Sequence, residues 1–120
     1  MNKQQIFDKV LNHLRKQGVA AVDTETGACL YRTKENYKCA IGCLIPDELY
    51  KTEMEQKSCR KIIHRSIALQ KYLDINEKNQ DIDFLEAMQN AHDTELVISF
   101  EAFNSAMEHI AERFDLTYRK

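Results

Sequence analysis

Ile6, Val10 and Leu14 recur every four residues near the start of the chain, with Phe7 and Leu11 beside them. That is the apolar stripe of an amphipathic helix. It predicts a helix from about Lys3 to Gln17, with Arg15 and Lys16 in a last turn that favours positive charge and Gly18 as a left-handed cap. The pattern then changes. Val19–Val22 is a short apolar run, Thr24–Gly27 reads as a turn, and ACLYR (Ala28–Arg32) and NYKCAI (Asn36–Ile41) are strand-like. Residues 28–41 are predicted as a hairpin. Pro46 stops regular structure or starts a helical turn at PDELY.

Helical spacing returns after that. Ser58 is the predicted cap of a helix running to about Leu73, with Ile62, Ile63, Ile67, Leu69 and Leu73 as its stripe. Asp81 is the predicted cap of a second, with Ile82, Leu85, Met88 and His92 on one face. Ser99 is the predicted cap of a third, carrying Phe103, Met107, Ile110 and Phe114. The expectation is a single α+β domain over residues 1–120, mostly helical, with three to four helices packed on a small antiparallel β-hairpin.

Composition adds limits. With 43% apolar and 30% charged residues, the chain has the balance of a globular protein rather than a disordered one. No apolar run reaches membrane-spanning length. The amphipathic start, MNKQQIFDKVLNHLRKQG, does not resemble a signal peptide. A cytoplasmic setting is expected, with the four cysteines as thiols. The net charge of −2 hides an asymmetry. Residues 1–73 hold thirteen Lys/Arg against eight Asp/Glu, whereas residues 74–112 hold Lys78 alone against ten acids. The basic footprint of a nucleic-acid binder is missing, which disfavours that partner class.

Several groups are candidates for chemistry. Cys29, Cys39 and Cys43 with Cys59 or His64 supply enough ligands for zinc, but their spacing is not that of paired C-x2-C turns. The thiols read first as small core residues. Cys59, beside Arg60 and Lys61 at a predicted helix start, sits in a field that favours thiolate, but His64 is not one helical turn away. The basic helix carrying Arg60, Lys61 and Arg65 is either a solvated face or a contact for an acidic partner. The acids between Asp74 and Glu112, represented by Asp83, Glu86 and Glu101, form either a solubilising surface or a docking surface for a basic protein. The three glycines are scattered, so there is no phosphate-cradling loop.

The stretches ACLYR and KCAIGCLIPDELY, followed by FLEAMQNAHD, contain Cys29, Tyr31 and Arg32, then Cys39 to Asp47, then Gln89, His92 and Asp93. In these motifs the chain resembles a group of small, functionally uncharacterised proteins encoded by bacteriophages and prophages. The resemblance implies a bacterial cytoplasm and a role directed at the host, but it brings no catalytic residues with it. The expected function is a non-enzymatic protein-binding module, acting on a bacterial protein such as a defence factor and inhibiting or redirecting it. No cofactor is expected, and the partner and the oligomeric state are left unassigned. The alternative is a small metal-binding or thiol-dependent enzyme built on Cys39, Cys43, Cys59 and His64.

Overall fold

The computed structural model describes residues 1–75 and 79–119. Five α-helices follow one another: α1 (Lys3–Gln17), α2 (Cys59–Arg65), α3 (Ile67–Leu73), α4 (Asn79–Asn90) and α5 (Phe100–Arg113). Short 3-10 turns lie at Gly42–Leu44 and Thr52–Gln56, and a π-helix, Ala91–Leu96, joins α4 to α5.

The predicted α+β class is corrected here. Helix accounts for 59% of the chain and strand for 3%, and among the described residues there is no sheet. Where the hairpin was predicted, the described residues hold one antiparallel bridge, Arg32 with Lys38, and another joins Val22 to Cys29. The reason lies in the backbone amides. A hairpin forms when two runs satisfy each other's N–H and C=O groups. In this segment the two runs share the Thr33 N–H to Tyr37 and Cys39 N–H to Tyr31 bonds, and side chains from elsewhere take other amides along them. The Glu55 carboxylate accepts the Tyr31 and Arg32 N–H groups at 2.8 and 3.1 Å. Gln17 accepts from Lys38 at 2.8 Å, and Gln89 accepts from Ile41 at 3.0 Å.

The number of helices is corrected as well, and the reason is Ser66. The single helix predicted from Ser58 to Leu73 breaks there, because the Ser66 hydroxyl accepts the Leu69 N–H at 3.1 Å and starts α3 anew. The break resets the face, so Ile67, predicted in the core stripe, is 66% exposed. Ser58 and Ser99 cap α2 and α5 as expected. Asp81 lies in the first turn of α4, whose cap position is outside the described residues, as are Glu77 and Lys78.

The other stripes are buried as the spacing predicts. Ile6, Phe7, Val10, Leu11 and Leu14 of α1 meet Leu85, Met88, Phe103 and Met107 in one core. Phe84 packs edge-on against Phe114 at 5.2 Å. Asn2 and Gln5 form a reciprocal capping box at the start of α1, and Gly18 ends it at φ 78°. Arg15 also clasps the chain end, bonding to the Arg119 carbonyl and the Tyr118 hydroxyl.

The IGCLIP stretch is the turn against which the core closes. Cys39, Ile41, Leu44 and Ile45 are buried. Gly42 lies so close to the Tyr31 backbone that a Cβ there would stand 2.0 Å from the Tyr31 carbonyl oxygen. Arg32 locks the turn's exit, bonding to the Ile45 carbonyl at 2.8 Å and the Asp47 carboxylate at 2.9 Å while stacking on the Tyr50 ring.

Candidate functional site

The irregular segment and α4 enclose a recess of about 250 Å³. Cys29, Tyr31 and Cys39 enter from the irregular segment, Cys59 from the first position of α2, and Glu86, Gln89 and Asn90 from α4, while Asp93 lies on the π-helix. The wide π turn is a feature that recurs at functional sites. All three motif stretches thus contribute to one recess.

Asp93 is the centre of the polar arrangement. Its Oδ1 accepts from the Gln89 amide at 2.7 Å and from His92 Nδ1 at 2.7 Å. The Cys29 sulfur lies within 4.8 Å of the same carboxylate. Neither donor is a lysine or arginine, and among the described residues no lysine or arginine forms an ion pair with Asp93. His92 is fully buried. Its Nε2 accepts the Ala21 N–H at 2.8 Å, which puts the ring proton on Nδ1, facing Asp93.

That tautomer bears on metal binding. Among the described residues, Cys29, His92 and Asp93 are the group whose ligand atoms lie close together, within 4.8 Å of one another. A metal ligand must offer a lone pair. His92 offers none: one nitrogen carries the proton and the other receives an amide. The imidazole orients the carboxylate instead, and two side chains remain where tetrahedral zinc needs three or four.

The ligand set considered from the sequence is not brought together. Cys39 and Cys59 border the recess. The Cys43 thiol instead donates to the Ala40 carbonyl at 3.1 Å, and His64 is on the exposed side of α2. All four thiols are held in the protonated form. Burial, followed by the negative charge of Asp93, pushes Cys29 up to about 11. Burial raises Cys59 to about 12, with Glu86 adding to the shift and Arg60 opposing it, and raises Cys43 to about 12 against the pull of Lys9 and Lys38. Burial raises Cys39 further still, outweighing the Gly42 N–H that its sulfur accepts. The positive neighbourhood read around Cys59 therefore does not produce a thiolate. Arg60 spends its charge on carboxylates instead, reaching Asp83 at 2.9 Å and Glu86 at 2.6 Å.

This bridge joins the two candidate surfaces. The acids of α4 and the basic α2 read from the sequence as separate fields, and in the fold they partly cancel across the α2–α4 contact. Lys61 and Arg65 are exposed on α2, and Glu101 is exposed in the first turn of α5. Glu55 was not singled out as a site residue, yet its two oxygens hold Tyr31, Arg32 and the Tyr50 hydroxyl. No local pattern marks it, since its partners are 24, 23 and 5 residues away. Gln89 and Asp93 were singled out in the sequence together only as part of the third motif stretch.

Comparison of the chain with protein-family models, curated protein sequences and solved structures gives no match. Among the described residues, no helix is long and apolar enough to cross a membrane.

Proposed function

We propose that this chain is a non-enzymatic protein-binding module whose partner presents a cationic side chain to Asp93. The observation that carries this reading is the state of that carboxylate: it is held by the Gln89 amide and the His92 ring N–H, open at the recess and paired with no lysine or arginine among the described residues. A preset carboxylate of this kind favours an incoming ammonium or guanidinium, because its orientation is already established before binding. Glu86 and Asn90 beside it add acceptors. Thiol catalysis draws no support from the same arrangement. Both His92 nitrogens are engaged, Nδ1 with Asp93 and Nε2 with the Ala21 N–H, so the imidazole has no lone pair free to take the Cys29 thiol proton. The resemblance to phage-encoded proteins favours a bacterial partner, a defence protein included, with inhibition as the outcome.

A photoreactive residue at exposed Asn90 tests this in bacterial lysate. The wild-type site is expected to crosslink to a discrete protein, less so as salt rises. Asp93→Asn keeps the shape and an acceptor oxygen, and it should cut the yield at least tenfold with the circular dichroism unchanged. Equal yields from both proteins, or no crosslinked protein at all, would overturn the reading.

A further inference from the structure

Asp93 and Cys29 border a second recess, an open groove of about 670 Å³. Its wall is apolar: Val19, Ala20 and Val22 on one side, Leu96, Val97 and Phe100 on the other. Val19 and Val97 are 46% and 48% exposed, well above the rest of the core. Asp93 is the one charged side chain along this wall. The two recesses thus share an edge made of a thiol and a carboxylate, polar on one side and greasy on the other. Apolar surface left open beside a fixed charge is typical of binding sites rather than of ordinary solvated faces.

Resting on the reading that Asp93 receives a cation, we propose that the partner enters as an extended segment with a lysine or arginine and, two positions away, an apolar residue. An extended chain points every second side chain to the same face. Such a segment lying across the Cys29–Asp93 edge delivers its cation to the polar recess and its apolar neighbour to the groove. The charge complementarity is specific: Asp93 is the one carboxylate that lines both recesses, and it lies at their junction. A segment with the basic residue alone leaves the groove wet, and one with the apolar residue alone leaves Asp93 unpaired.

The test uses the full-length 15N-labelled chain and three capped pentapeptides, Gly-Lys-Gly-Leu-Gly, Gly-Gln-Gly-Leu-Gly and Gly-Lys-Gly-Ser-Gly. The first is expected to shift the amide signals of Val22, Cys29, Asp93 and Val97, and to bind at least fivefold more tightly than either control. Asp93→Asn should bring the lysine peptide down to the level of its glutamine control. Val97→Asp, at an exposed position, should remove the advantage of leucine over serine. Equal binding of the three peptides, shifts confined to other surfaces, or no shifts would overturn the inference. Zinc chloride shifting the same four amides in place of the peptides would overturn it too, in favour of an ion at Cys29 and Asp93. If the Asn90 crosslink still depends on Asp93 while the peptides fail, the extended-segment inference falls and the cation reading stands. If neither depends on Asp93, both fall.

Discussion

α5 and the stretch from Ala20 to Ser58 are held in shape in opposite ways. α5 satisfies its own backbone: Ser99 caps it, its N–H groups bond within it, and its apolar stripe meets the core. The irregular stretch depends on groups far away in sequence. His92 takes the Ala21 amide, Gln17 the Lys38 amide, Gln89 the Ile41 amide, and Glu55 the Tyr31 and Arg32 amides. A helix is specified by residues three and four apart, so its pattern can be read locally. A loop clamped by distant side chains has no period. The difference teaches that irregular backbone is not loosely specified here, but specified from elsewhere.

The sharpest way to break the irregular region is Gly42→Ala. The new Cβ would collide with the Tyr31 carbonyl oxygen, a backbone atom that cannot swing aside. Overpacking of this kind costs about 3 kcal/mol or more. Urea unfolding should show that loss. A shift within experimental error would mean that the turn and the Tyr31 backbone are free to separate.

Glu55→Gln tests the clamp. One acceptor oxygen becomes an amide donor facing N–H or O–H donors, at a cost of about 2 kcal/mol. The control in the helical half is Ser99→Ala, expected to cost about 1 kcal/mol, the usual worth of a cap. Amide exchange distinguishes the two further. Glu55→Gln should speed exchange at Tyr31 and Arg32, whereas Ser99→Ala should speed it at the start of α5. Equal costs with identical exchange patterns would erase the contrast between the regions.

The smallest effect concerns His13, where α1 meets the irregular segment. Its Nε2 donates to the Lys38 carbonyl at 3.0 Å, and burial, the largest influence, holds its pKa below the usual histidine value. The unfolded chain therefore takes up this proton at a higher pH than the folded chain. The contribution of His13 to stability is complete above about pH 6.5 and is lost as the pH falls towards the folded value. Between pH 7.5 and 5.5 the urea midpoint should drop more in the wild type than in His13→Gln. Equal drops would remove His13 from the account.

This contrast also marks how much was legible in the sequence. α1 and α5 follow from spacing and caps, as do the buried faces of Ile82, Leu85, Met88 and His92. The inward packing of Cys39, Ile41, Leu44 and Ile45 around Gly42 follows from composition. The hairpin reading failed because apolar, β-branched residues signal strands only when a neighbouring strand takes their amides, and here Glu55 takes the Tyr31 amide and Gln89 the Ile41 amide. Ile67 was misplaced because Ser66 reads equally as a helix interior residue and as a cap. At the site, the motif residues Cys29, Tyr31, Gln89 and Asp93 were visible as a set, but the ring orientation that turns the His92 Nδ1 proton towards Asp93 was not. That orientation depends on a contact spanning 71 residues, between Ala21 and His92.

The same contact sets the order in which the molecule is completed during synthesis. The side chains that take the Ala21 and Ile41 amides lie on the π-helix and α4, 71 and 48 residues downstream. Contacts of such long sequence separation form late, because the closure entropy must be overcome before they give any stability. The hydrogen bonds of α1 need only its own residues, whereas the segment after it needs partners that are made later. The recess therefore comes into being in a single late event, when His92 and Gln89 arrive and the first half of the chain closes onto the second.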